Sequence, residues 1–560
     1  MKKIPYGISN FEELITQNYY YVDKTKYIKA IENLPEKRIM FLRPRKFGKT
    51  LFTSTLEYYY DIKAEEKFNN LFANTYIGKN PTELKNSYYV LKFNFSGIDT
   101  ETEEHTVTKF RDRVASFVQL FVTNYGSDFF VNFNDDAESI LDNLFKAFKL
   151  QKPDEKIYVI IDEYDHFANE LLSFKTDQFK NLVSKNGKVR KWYEILKEGT
   201  ESVVDRIFIT GVAPITLDSL TSGFNITSDI TMDARFNEMM GFTGVELNNM
   251  IDDLQISSTM KENIIPIMKQ NYDGYKFSTD ATEQIYNSNM CLFFLKSYLA
   301  QNRIPNKFID TNIASDYDKL AHMLDLCQGE ERERIISTTV SGESITSEIT
   351  EKFNPAVEFT EKELVSMLFY LGYLTIDGEE FEIPKLKIPN RVMKELYSDY
   401  LMHVLSKATN LQTSLSDYNE ILREIALEGS IFKITELVHH YLENLSNRDF
   451  MRFDEKYVKI IFFCIAMNLK IFNLKSEMEV NRKYPDILLI PRDTSKNYCS
   501  VMIEFKYLKK TDAHMLAEKQ EEARKQIEEY SGFNEIKSIP RLHKYTVVAV
   551  NDKIYVDEIK

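Results

Sequence analysis

Four short apolar runs constrain this chain more than any other feature: Arg38–Leu42 (RIMFL), Tyr88–Phe95 (YYVLKFNF), Lys156–Asp162 (KIYVIID) and Arg206–Val212 (RIFITGV). They are rich in β-branched and aromatic residues and do not alternate cleanly with polar ones. A strand that is apolar on both faces has to be covered on both faces, as in a parallel sheet flanked by crossover helices. The amphipathic stretches between the runs can supply those helices. The expected fold class is therefore α/β.

At 560 residues the chain exceeds what one core organises, so about two to four domains are expected. Residues 1–244 read as the α/β domain, 245–355 as a helical lid, 356–409 as a winged-helix-like module and 410–560 as a second α/β domain. In the third region Leu364, Met367, Leu368 and Leu371 share a helical face, Asp377-Gly378 signals a turn between two short strands, and a helix follows Pro389. Such modules bind DNA in many proteins and act as lids on nucleotide-binding cores in others. Both roles stay open here, although the acidic hairpin DGEEFE suits a nucleic-acid groove poorly. The last region is expected to carry strands at SEMEV, PDILLI and CSVMIEFKY, a charged helix from Ala513 to Tyr530, and a final strand YTVVAV.

The composition, 28% charged and 43% hydrophobic, is that of a folded globular protein. Polar and acidic residues interrupt MKKIPYGISNFEELI at once, so no secretory signal is expected. The most apolar stretch, YVKIIFFCIAMNLKIFNL, contains Lys459 and Lys470 and reads as a buried helix rather than a membrane span. The four cysteines form no C-x-x-C pair, which fits a reducing cytoplasm. A net charge of −14 argues against non-specific coating of nucleic acid while leaving room for a local basic groove.

The first run leads into Arg43-Pro-Arg45-Lys-Phe-Gly48-Lys49-Thr50 and then into the helical pattern TLFTSTLEYYYD. Strand, loop and helix in that order are the context of a phosphate loop. There, backbone N–H groups at a helix start surround a phosphate, a lysine adds a point charge, and a Ser or Thr hydroxyl holds magnesium. Gly48, Lys49 and Thr50 fill the closing positions; Arg43 stands where glycine is usual. The third run ends in Asp162 and is followed by Glu163, the pair that orders magnesium and polarises the attacking water in P-loop ATPases. Thr210, near the end of the fourth run, is placed to touch a γ-phosphate or that water, because ligands of such sheets bind at the carboxyl ends of the strands. Arg43 and Arg45 either contact phosphate or pair with acids such as Asp165. Arg235 is either a finger for a neighbouring subunit or a solvated side chain.

YGISNFEELITQNYYYVDKT, FLRPRKFGKTLF, VIIDEYD, FITGV and YDGYKF follow one another in the order seen in the AAA-ATPase-like family of microbial proteins, which this chain resembles over roughly its first half. That family's loop reads R-P-R-R-F-G-K-S, so the resemblance makes the missing glycine a family trait. It implies a nucleotide site formed by Arg43, Arg45, Gly48, Lys49, Thr50, Asp162 and Thr210, with Glu163 catalytic. No role follows from the residues alone for YVDKT or YDGYKF.

A second chemical site is expected near the end. Pro485-Asp486 opens one strand, and Glu504 and Lys506 alternate on the same face of another, with Phe505 pointing away. A hairpin between these strands would bring Asp486 beside Glu504, an oxygen-rich site for Mg²⁺ or Mn²⁺ with a lysine to orient or deprotonate water. This resembles the PD-(D/E)XK nuclease core. Glu477 is a further candidate ligand, and the following helix offers Gln526 and Tyr530. The basic run KYLKK reads either as a DNA-backbone contact or as a charged edge that blocks strand pairing. The eight histidines suggest no competing site.

The chain therefore reads as an ATP-binding, magnesium-dependent P-loop protein with a nuclease-like domain whose metal ligands would be Asp486 and Glu504. The expected partners are ATP, DNA and a further copy of the chain, with no membrane. The rival reading is a non-catalytic nucleotide-dependent switch.

Overall fold

A computed structural model describes the protein over residues 2–98, 100–126, 129–166, 187–214, 226–305, 307–310, 320–321, 323–324, 330–353, 360–445, 455–476, 485–492 and 496–560. The chain divides into two compact units, Met1–Gly329 with Thr346–Val392, and Glu330–Ile345 with Met393–Lys560.

The first unit is built on a five-stranded parallel sheet of β1 (Arg38–Leu42), β2 (Tyr89–Asn94), β3 (Ile157–Asp162), β4 (Val204–Gly211) and β5 (Ser228–Asp229), in the order β2-β3-β4-β1-β5. The four apolar runs are its four long strands. All six residues of β3 are buried, as a strand covered on both faces requires. Helices Glu103–Tyr125, Ala137–Gln151 and Lys188–Gly199 pack with this sheet. The last places Trp192, the protein's one tryptophan, edge-on to Phe93, Phe95 and Phe110 at 5.0, 5.5 and 5.7 Å. β4 lies between β1 and β3, with Thr210 opposite Phe41 in the register.

Beyond the sheet the first unit is helical, with helices Gly244–Asp253, Ser258–Tyr272 and Ser288–Gln301. Helix Glu361–Tyr370 then leads into an antiparallel hairpin of β6 (Thr375–Glu380) and β7 (Ile383–Lys387). The turn of this hairpin is not at Asp377-Gly378. Those residues sit at a bulge inside β6, and the turn is made by Phe381 and Glu382, both left-handed at φ 52° and 63°. Two residues with positive φ give a two-residue hairpin the twist it needs, a geometry usually read from Asn-Gly or Asp-Gly.

The second unit carries a mixed five-stranded sheet of β8 (Phe472–Ser476), β9 (Ile487–Pro491), β10 (Ser500–Leu508), β11 (Leu542–Val550) and β12 (Lys553–Ile559), paired in the order β12-β11-β10-β9-β8. β9 and β10 are antiparallel, with Ile487 opposite Ile503, whereas β10 and β11 are parallel. Helix Glu455–Met467 places Phe462 5.2 Å from Phe505. Ile527 and Tyr530 of helix Leu516–Ser531 join a core with Leu488 and Met502. Two expectations are corrected here. YTVVAV is not the last strand, because Asn551 at φ 55° turns the chain back into β12; and the charged helix starts at Leu516, after a 3-10 turn over Lys510–Met515. Of the expected strand SEMEV, Ser476 closes β8, and the remainder, Glu477 included, lies outside the described residues. Among the described residues, no helix is long and apolar enough to cross a membrane.

Candidate functional site

The loop after β1 ends at Gly48, left-handed at φ 99°, which caps helix Lys49–Tyr60. A side chain there would be strained, so glycine is required where the chain turns into the helix. Lys49 folds back over the loop and donates to the carbonyl oxygens of Arg43 and Pro44, each at 3.0 Å. Burial lowers its pKa, against the opposing pull of Glu163, Asp162 and Asp165.

Asp162 is fully buried at the end of β3 and accepts from Asn94 Nδ2 at 3.3 Å. Burial raises its pKa, while the neighbouring Thr50 hydroxyl and Lys49 ammonium hold it down. Asp162 Oδ1 and Thr210 Oγ1 are both buried without a hydrogen-bond partner among the described residues. Glu163 follows at φ 51°, an unusual backbone state for a residue other than glycine, and faces the same cleft as Arg45, Gly48, Lys49 and Thr50. The cleft measures about 480 Å³, and its lining includes Tyr20 and Tyr21.

Arg43 is turned away from this cradle. Its guanidinium is buried and donates to the carbonyl oxygens of Leu42 and Thr231 at 2.8 Å, of Phe236 at 3.1 Å and of Asn237 at 3.4 Å. The rings of Phe41 and Phe277 flank it at 4.1 and 4.2 Å. Burial lowers its pKa to about 9, so it stays charged at neutral pH. Asp165, the acid considered as its partner, instead accepts from the backbone N–H groups of Val212 and Ala213. Arg235 is an exposed side chain paired with Asp233 at 2.6 Å.

Of the two unexplained sequence signatures, YDGYKF touches this loop, whereas YVDKT ties together segments outside it. In YDGYKF, Tyr275 meets the loop's Phe47 edge-on at 5.0 Å, and Phe277 covers Arg43 and donates its backbone N–H to Asn237 Oδ1 at 3.0 Å. In YVDKT, Asp23 accepts from the Tyr76 N–H at 2.6 Å, and buried Lys24 donates to Glu238 O at 2.8 Å and Glu246 Oε2 at 2.7 Å. These ties join segments far apart in the chain, which is why no local pattern announced them.

In the second unit the antiparallel pairing of β9 and β10 brings Asp486 to Glu504. Asp486 Oδ2 accepts from the Phe505 N–H at 2.8 Å, and the Asp486 N–H serves the Glu504 carboxylate. Lys506 Nζ lies 3.0 Å from Glu504 Oε1, whereas Glu504 Oε2 is buried with no partner among the described residues. Burial, then the Asp486 charge, pushes the Glu504 carboxyl up to about 7, with Lys506 opposing. Both carboxylates also act on Tyr530, and Gln526 Oε1 is buried without a partner among the described residues. Sequence reasoning missed one member of the cluster: Lys459 of helix Glu455–Met467 lies 2.8 Å from Asp486 Oδ1. Its signal was a lysine inside an otherwise apolar helix, which has to find a partner when buried. Of the run KYLKK, Lys506 is buried while Lys509 and Lys510 are exposed.

Residues 5–221 match the family model described as "Predicted AAA-ATPase", and residues 453–558 match that of the PD-(D/E)XK nuclease superfamily. An "Uncharacterized protein in vnfD 5'region" of Azotobacter chroococcum mcd 1 is 24% identical over 298 residues, 53% of this chain. The match spans 52% of that relative, about half its length. A buried acid at the end of β3 beside a lysine-bearing loop, and an Asp–Glu–Lys cluster on a β hairpin, agree with those matches: the chain carries an AAA-ATPase-like region followed by a PD-(D/E)XK nuclease-superfamily region.

Proposed function

We propose that the protein binds and hydrolyses ATP with magnesium in its first unit, and that its second unit is a metal-dependent nuclease acting on DNA. Gly48, Lys49 and Arg45 would receive the phosphates, while Thr50 and Asp162 would hold the magnesium. The unpartnered Asp162 Oδ1 fits such an ion, since a buried carboxylate oxygen without a donor is costly unless a cation or its water satisfies it. Glu163 would orient the attacking water, and the buried Thr210 hydroxyl would touch that water or the γ-phosphate. Arg43 takes a different part, holding the loop's shape from behind.

The nuclease reading rests on one observation, the convergence of Asp486, Glu504 and Lys506 with a Glu504 oxygen that has no partner among the described residues. Two acids and an orphaned oxygen fit Mg²⁺ or Mn²⁺. Such an ion supplies charge stabilisation to a phosphodiester and acidifies bound water. Lys506 would orient or deprotonate the water; Asp486 and Glu504 would hold the ion. The test is cleavage of linear and supercoiled DNA with Mg²⁺ or Mn²⁺, with and without ATP, beside Lys506→Ala and Lys49→Ala. Metal-dependent cleavage lost in Lys506→Ala supports the reading, and its response to ATP and Lys49→Ala measures coupling. No cleavage under any condition favours a nucleotide-dependent switch, to which the Lys459–Asp486 pair lends support by already neutralising the acid.

A further inference from the structure

We propose that Lys459 is the resident counter-ion of the Asp486–Glu504 site, and that a divalent cation is held there only after the Lys459 ammonium leaves Asp486. The inference rests on the nuclease reading and adds a positioning residue to it.

Lys459 comes from a helix rather than from the hairpin that carries the other three charges. Its neighbours Val458, Ile460, Ile461 and Phe462 are buried, and its own side chain is only 17% exposed. A lysine stem can be accommodated among apolar residues if its head finds a carboxylate, and Asp486 Oδ1 at 2.8 Å is that carboxylate. Asp486 then has both oxygens engaged, Oδ1 by Lys459 and Oδ2 by the Phe505 N–H. One Glu504 oxygen engages Lys506, and the other has no partner among the described residues. With Asp486 and Glu504 ionised, the two acids are matched in charge by Lys459 and Lys506.

A divalent ion entering such a cluster gains two carboxylates but meets two ammonium groups at close range, and inside a protein that repulsion is weakly screened. Lys506 belongs to the strand motif and faces Glu504. Lys459 is the cation that competes for Asp486, and its long stem allows the head to swing aside. A DNA phosphate is the anion best suited to draw it off, because it offers the ammonium a replacement partner as it brings the scissile bond to the metal. Metal loading is then weak in the free protein and strengthened by substrate.

The test is Mn²⁺ binding rather than cleavage. Free Mn²⁺ is followed by electron paramagnetic resonance during titration of the nucleotide-free full chain, for the wild type, Lys459→Met, Lys459→Arg, Asp486→Asn and the Lys459→Met/Asp486→Asn double variant. The expected result is an Asp486-dependent site at least about tenfold tighter in Lys459→Met than in the wild type, with Lys459→Arg restoring the weak wild-type binding. Equal Asp486-dependent affinity in wild type and Lys459→Met overturns the inference and leaves the nuclease reading standing. Absence of any Asp486-dependent Mn²⁺ binding in both removes the metal site, and with it that reading. Should Lys459→Met not fold, Lys459→Gln is used, and the rise in thermal unfolding temperature on adding Mn²⁺ is measured. A rise larger than in wild type and absent when Asp486→Asn is added supports the inference; equal rises overturn it.

Discussion

Restoring the glycine that standard phosphate loops carry at position 43 should damage this one. Arg43→Gly removes a guanidinium that donates to four carbonyl oxygens and is flanked by two aromatic rings. The two shorter bonds, each 2.8 Å, contribute about 1.5 kcal/mol apiece as charge-assisted hydrogen bonds. The two ring contacts add about 1 kcal/mol each, and glycine in place of a residue with a side chain costs about a further 0.5–1 kcal/mol. The sum is about 5–6 kcal/mol, a large part of the roughly 5–15 kcal/mol that holds a domain together. Because the chain has two units, one overall free energy of unfolding is not defined, and a local probe is needed. Trp192 is the protein's one tryptophan, fully buried in the first unit, so its fluorescence during urea titration reports that unit alone. With a slope of about 3 kcal/mol per molar urea, the midpoint should fall by roughly 2 M. Arg43→Met, which restores volume without donors, should recover only a minor part. An unchanged midpoint accompanied by weaker ATP binding would refute the reasoning and return Arg43 to the phosphates.

Lys49→Ala should abolish binding of a fluorescent ATP analogue in titration while leaving Trp192 emission native. Asp162→Asn should weaken magnesium-dependent binding by about tenfold or more, leaving metal-free binding much less affected. Gly274→Ala should destabilise the first unit by about 2–4 kcal/mol in the same urea assay, since Gly274 is at φ 98° and a Cβ there would collide with the Pro389 carbonyl oxygen. Glu504 has a folded-state pKa near 7 against an ordinary 4.5, so the folded second unit holds a proton that the unfolded chain has released. Stability should therefore fall as pH rises from about 4.5 to 7, by up to about 3 kcal/mol. Glu504→Gln should flatten that slope in thermal unfolding measured from pH 5 to 8; an unchanged slope would locate the proton elsewhere.

Much of the candidate chemistry was legible because it lies close together in sequence. Gly48, Lys49 and Thr50 are consecutive, Asp162 and Glu163 close one apolar run, and Glu504 and Lys506 share a face through strand periodicity alone. Other parts were hidden for the same reason turned around. The hairpin turn at Phe381-Glu382 carries neither glycine nor asparagine, so Asp377-Gly378 drew the expectation although it forms a bulge. Lys459 lies 27 residues before its partner Asp486, on a different type of element.

By itself the sequence determined the two sheets and the residue types at their working ends, because alternation, apolar runs and short motifs act through neighbours along the chain. Only the tertiary structure decided which way the charged side chains turn. Arg43 points inward because four carbonyl oxygens and two rings, drawn from its own strand and from three other places in the sequence, leave it a better environment there than in the cleft. Lys459 meets Asp486 because an apolar helix buries its stem where a strand begins. A buried charge is stable only where donors and acceptors converge on it, and that convergence is a property of the packed chain rather than of any one segment.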